Sequence, residues 1–285
     1  MVSGTDAGNV AYGNNSYASG NTNANGSSTA VGAGATASGN YSTAYGSLSR
    51  ASGDASTALG VNATASAQRS IAIGAGTQST GDYATALGTL SSATGSYSAA
   101  IGASALAAGD QSVALGKSAS VSSGATYGVA IGAGSQSQYT GDIAIGEVAF
   151  ASASASGGNP VNAAMAIGNQ ATATGGASSA LGTSTVASGT ASSALGYHTA
   201  ATADYATAVG GRATASGLDS LSVGDHSTAS VSKSVALGSY ASATATNSVA
   251  LARTRRRRRT CRQRATTRVR QHCRARLRQQ TAKCR

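Results

Sequence analysis

Ser70-Ile71-Ala72-Ile73-Gly74 returns fourteen residues later as Ala84-Thr85-Ala86-Leu87-Gly88, then as Ser98-Ala99-Ala100-Ile101-Gly102 and as Ser112-Val113-Ala114-Leu115-Gly116. Fifteen glycines from Gly32 to Gly238 anchor this repeat, and 12 of the 14 steps between them are 14 residues long. The other two steps, Gly116 to Gly132 and Gly146 to Gly168, carry 2 and 8 extra residues. An earlier copy, Val10-Ala11-Tyr12-Gly13, sits 19 residues before Gly32. A fixed period with occasional insertions is the mark of a solenoid, in which each repeat forms one coil stacked on its neighbours.

Reading the repeat by column separates the roles. The residue before the glycine is aliphatic in 14 of 15 copies, Tyr45 being the exception, and the residue two before it is Ala in 14 of 15, Ser222 being the exception. Five after the glycine Ala recurs (Ala37, Ala51, Ala65, Ala107), and seven after it a second Gly is common, often followed by Asp or Asn, as in Gly53-Asp54 and Gly39-Asn40. Two short strands per coil explain the pattern, because alternate strand residues share a face. Gly-Asp and Gly-Asn supply turns, since Gly accepts positive φ and Asp or Asn can bond the nearby backbone. The expected core has Leu, Ile and Val on one inner wall and Ala on the other. The Ala two before the glycine should then point out of the roll, and its constancy implies a size limit set by another surface. Ala72, Ala114, Ala144 and Ala236 are therefore expected at a homo-oligomeric interface. One or two buried aliphatics contribute ~1.5–3 kcal/mol each, against an ordering cost on the order of 1–2 kcal/mol per residue. Isolated coils should not persist.

The charge is segregated. Residues 1–251 contain five basic and nine acidic side chains, a net of −4; residues 252–285 contain 14 Arg, one Lys and all three cysteines, with no acid and no glycine. The repeat region is thus weakly acidic and cysteine-free, which suits an exported protein. The start Met1-Val2-Ser3-Gly4-Thr5-Asp6 lacks the basic and apolar runs of a secretion signal, and no stretch reaches membrane-spanning length. The chain reads as a piece of something longer.

Ser70-Ile71-Ala72-Ile73-Gly74, Ser112-Val113-Ala114-Leu115-Gly116 and Ser234-Val235-Ala236-Leu237-Gly238 resemble, over roughly residues 10–251, the head domain of YadA-like trimeric autotransporter adhesins with their S-V-A-I-G-like strands. The resemblance implies a left-handed parallel β-roll of 14-residue coils, all-β and homotrimeric, displayed on the outer surface of a Gram-negative bacterium. It implies adhesion to host matrix proteins, cell surfaces or other bacteria. The family's neck, coiled-coil stalk and membrane β-barrel have no counterpart after residue 251. The expected organisation is an irregular segment 1–9, head repeats 10–251 with insertions near 14–28, 123–128 and 147–163, and a disordered Arg-rich tail 252–285.

That tail begins inside a motif. Asn247-Ser248-Val249-Ala250-Leu251 should be followed by glycine and is followed by Ala252-Arg253 and a run of arginines. Codons GCG, TCG and ACG read one base late give CGN, so a frameshift in a GC-rich Ala/Ser/Thr gene accounts for the tail; the alternative is a basic arm binding nucleic acid or other polyanions non-specifically. Cys261, Cys273 and Cys284 lack close-paired zinc spacing.

Candidate contact residues are few. His198, Arg212 and His226 each lie two after their glycine on consecutive coils, with the histidines too far apart to share a metal. Tyr41, Tyr83, Tyr97 and Tyr205 share the position nine after it; Tyr83 and Tyr97 suit adhesive contact, packing at a turn being the competing reading. The insertion near 147–163 carries the chain's one Phe and one Pro, so Phe150, Asn159 and Pro160 are candidates for a specific contact. Two repeat-region histidines and scattered Asp and Ser form no catalytic constellation, so no enzyme, cofactor or metal is expected. The competing class is an ice-binding or purely structural solenoid; ice binding would want a regular Thr ladder on one face. A hexapeptide acyltransferase helix is disfavoured by the period.

Overall fold

The computed structural model describes residues 8–20, 27–153 and 163–252. The tail beyond Ala252, and with it the frameshift and polyanion readings, lies outside the described residues, as do Asn159 and Pro160.

Each regular coil is a three-residue strand, a four-residue corner, a two-residue strand and a five-residue corner. In one such coil the strands are Ile71–Ile73 and Gln78–Ser79, and the next coil opens at Thr85–Leu87. The three-residue strands stack into a 17-stranded parallel sheet and the two-residue strands into a 16-stranded one. The described chain is an all-β parallel solenoid. Register follows the sequence period, with Ile71↔Thr85, Ala72↔Ala86 and Ile73↔Leu87.

The anchoring glycine opens the four-residue corner for two reasons. Gly74 has φ +132°, and a Cβ there would sit 2.8 Å from the carbonyl of Gly88 in the next coil. No side chain fits that approach. Two further positions per coil are left-handed, two and nine after the glycine, and most of them are not glycine, as at Leu90 (φ 58°) and Tyr83 (φ 58°).

The structure reverses the expected assignment of inside and outside. Ala72, Ala114, Ala144 and Ala236 are fully buried within their own coils, as are Ala37, Ala51 and Ala65 on the facing short strands. Among the described residues Val121 is the largest apolar side chain that is fully buried. The aliphatics on either side of the central alanine point outward: Leu59, Leu87 and Leu115 are each about 40% exposed. Two strands of three and two residues, folded back within 14 residues, leave room between them for methyl and hydroxymethyl groups. The limit on size comes from inside the coil. Serine and threonine three after the glycine are also buried, their hydroxyls satisfied by the corner, as when Ser91 Oγ donates to Gly88 O at 2.9 Å.

The Gly-Asp pairs also act differently from expectation. Rather than closing its own turn, the carboxylate accepts a backbone N–H from the preceding coil: Asn40 N–H to Asp54 Oδ1 at 3.0 Å, Gln68 to Asp82 at 3.2 Å and Ser96 to Asp110 at 2.9 Å.

All three insertions fall at one place, the five-residue corner after the short strand. Tyr17–Ala18 and Phe150–Ala151 are regular short strands, so the extra chain begins after Ala18 and after Ala151, later than the expected starts at 14 and 147. Ladder register survives each: Val10↔Thr29, Val113↔Val129 and Ile143↔Met165.

Candidate interaction surfaces

Because the central residue of each long strand points inward, its two neighbours form paired outward columns along the 17-stranded sheet. Ile71 and Ile73, Val129 and Ile131, Ile143 and Ile145, and Val235 and Leu237 belong to them. In the column before the glycine, Leu87, Leu115, Leu195, Leu237 and Tyr45 are exposed in the single chain. A continuous apolar ladder of this kind is rare on the surface of a lone soluble chain. Sequence reasoning placed the outward face on the wrong residue of the triplet. The available signal was the neighbouring column itself, which changes among Thr, Ile, Ala, Val, Met, Ser and Leu as an outward position does.

The outward position of the short strands is unlike it. Thr36, Arg50, Thr64, Gln78 and Ser92 succeed one another, then Leu106, Ser120 and Gln136. No regular threonine ladder is present there.

Two corners carry ring stacks. Tyr83 and Tyr97 stack with centroids 4.8 Å apart at 6°, and the Arg69 guanidinium lies 5.2 Å from the Tyr83 ring centroid and bonds its hydroxyl. The structure thus brings together the two tyrosines picked from their shared register, and both remain exposed at their rims. On the other corner, Arg212 Nη1 lies 3.4 Å from His226 Nε2, His226 Nδ1 lies 2.9 Å from Asp225 Oδ2, and His226 stacks on Tyr240 at 4.9 Å and 7°. His198 packs edge-on against Tyr197. Stacking of left-handed corner residues one coil apart explains both groups. Phe150 is half-buried on its strand, paired with Gln136 and Thr172, and is not brought near either stack.

Asp142 is fully buried one residue before the long strand Ile143–Ile145. Burial pushes its carboxyl above the usual carboxylate range, while N–H groups of Ala164, Ala153, Tyr139 and Gln138 pull the other way. Among the described residues no group of three or more His, Cys, Asp or Glu could hold a metal ion. No described helix is long and apolar enough to cross a membrane.

A family model, the YadA head domain repeat, matches residues 25–49, 51–77, 79–135, 162–213 except 186, and 215–251, which is more than half of the chain. The matched ranges omit 136–161, where the longer internal insertion lies. A comparison with curated proteins found no match.

Proposed function

This chain belongs to the YadA head family, and on that premise we propose that it forms the homotrimeric head of a bacterial surface adhesin. The head attaches to host extracellular matrix, cells or other bacteria through many weak copies of one repeat surface. The observation that carries the reading is the apolar ladder flanking the buried alanine column. Leu87, Leu115 and Leu195 are about 40–50% exposed, so covering each contributes on the order of 1 kcal/mol, and association along the sheet stabilises coils that are marginal alone. Repetition then multiplies weak contacts into avidity.

The test is the solution mass of the purified chain by multi-angle light scattering, beside the double variant Ile131→Lys/Ile145→Lys. A wild-type trimer and a monomeric double variant are expected. A wild-type monomer would overturn the reading. Binding to surfaces coated with matrix protein should fall by orders of magnitude in the monomeric variant; equal binding by both would remove avidity from the account.

The ice-binding alternative draws no support from the short-strand face, whose outward column mixes Thr, Arg, Gln, Ser, Leu and Phe.

A further inference from the structure

In a regular coil the five-residue corner closes with a hydrogen bond of its own. Ser42 N–H donates to Gly39 O at 3.3 Å, and Ser70, Ala84 and Ser98 repeat the bond to the residue three before. The donor precedes the long strand and its N–H is inside the coil, where an unpaired donor is costly. A long insertion removes the acceptor, because the residue three before is now part of the extra chain.

At both long insertions a side chain from the preceding coil takes over. Asp142 Oδ1 accepts the N–H of Ala164 at 2.7 Å, and Oδ2 accepts those of Ala153 at 3.1 Å and Tyr139 at 3.0 Å. Ala153 and Ala164 are the nearest described buried residues on either side of residues 154–162. At the N-terminal insertion Asn9 Oδ1 accepts the N–H of Ser28 at 2.9 Å and that of Gly20 at 3.4 Å, together with the Ser28 hydroxyl at 3.0 Å. Gly20 and Ser28 occupy the same coil positions as Ala153 and Ala164. Asn9 and Asp142 likewise occupy one position, four before the anchoring glycine, where Ser42, Ser56, Ser70 and most other coils have serine. The short insertion supplies the control. With two extra residues the corner still closes on itself, through Ala125 N–H to Ser122 O and Gly128 N–H to Ala125 O, both at 2.9 Å. The preceding coil there keeps the ordinary Ser112, bonded to Gly109 O.

We propose that Asn9 and Asp142 are positioning residues that tie the two ends of an inserted loop to the preceding coil, so that the roll carries a long loop without opening its ladder. Serine is one bond too short to bridge both ends. Asn and Asp reach both from one side chain, and a single oxygen suffices, as Asn9 shows. The inference concerns the coil alone and stands whether or not chains associate.

The test is amide hydrogen exchange of the full chain, read at Ala153 and Ala164 and at the ladder amides of Ile143 and Met165. Asp142→Ser is expected to speed exchange at Ala153 and Ala164 by about tenfold or more, since it leaves buried donors unpaired. Asp142→Asn should retain most of the protection, as the side chain at Asn9 does. Deleting residues 154–161 restores a five-residue corner, and in that background Asp142→Ser should change exchange little. Unaltered exchange in Asp142→Ser would overturn the proposal. So would an equal effect of the substitution with and without the deletion, which assigns Asp142 a role unrelated to the loop. If Asp142→Ser does not fold, the same substitution in the deleted background decides: folding there supports the tie, and failure there overturns it.

Discussion

The two sheets of the roll share an inner wall of alanine and differ in what they show to the outside. The 17-stranded sheet presents two outward residues per strand, mostly aliphatic beside the glycine; the 16-stranded sheet presents one, drawn from Thr, Arg, Gln, Ser and a few apolar types. The interior therefore sets the coil and is the same throughout, while the exteriors divide the work. A sheet face that keeps one chemistry along its length is suited to a partner of the same length. One that varies from coil to coil is suited to water or to local contacts.

Substitutions on each surface break this comparison in graded ways. Ala114→Leu puts an isobutyl group into an interior already filled by alanines and Val121, and should cost on the order of 3 kcal/mol, enough to disrupt several coils; thermal unfolding measures it. Ile131→Lys, at a half-buried position on the outward face of the long strands, should leave a single roll folded and lower the apparent stability of the associated form by about 1 kcal/mol or more. Its unfolding midpoint should also lose concentration dependence, which a dilution series checks. If Ile131→Lys unfolds the coil as Ala114→Leu does, the division between inner and outer columns is wrong.

A subtler effect comes from Asp142. Its folded carboxyl binds protons more tightly than the ordinary value of 3.8, because burial disfavours the charge. Between 3.8 and the raised value the folded chain holds more protons than the unfolded one, so stability falls as pH rises through that window and is fully present below it. Asp142→Asn cannot titrate. Melting temperatures of wild type minus those of Asp142→Asn should therefore increase on acidification; a difference that shrinks would reverse the sign of the shift. Smallest of all, Thr64→Lys on the short-strand face should stay within about 0.5 kcal/mol of wild type.

Much of this was legible in the residues. The 14-residue step placed the coil and its ladder register, the alternation in Val113-Ala114-Leu115 placed a strand, and Gly53-Asp54 and its equivalents placed a turn. The face was not legible, because alanine and leucine are both apolar and a period of two says which residues go together, not which set is inside. Interior volume decided it, and that depends on both strands of a coil at once. The assumption that larger apolar side chains lie inside sent Ala72, Ala114, Ala144 and Ala236 to the surface. Tyr83 and Tyr97 were found by shared register, since equal positions on successive coils lie one strand spacing apart. The roles of Asn9 and Asp142 were hidden, because each acts on backbone 11 or more residues away.

Register survives extra chain at three corners, and that has a consequence for inheritance. Near-identical units of DNA recombine out of phase, gaining or losing whole units. Here each such event adds or removes one rung of about 4.8 Å and leaves every side chain on the face it already occupied. The distance this head spans can thus change between lineages in equal steps, without a new fold having to be found.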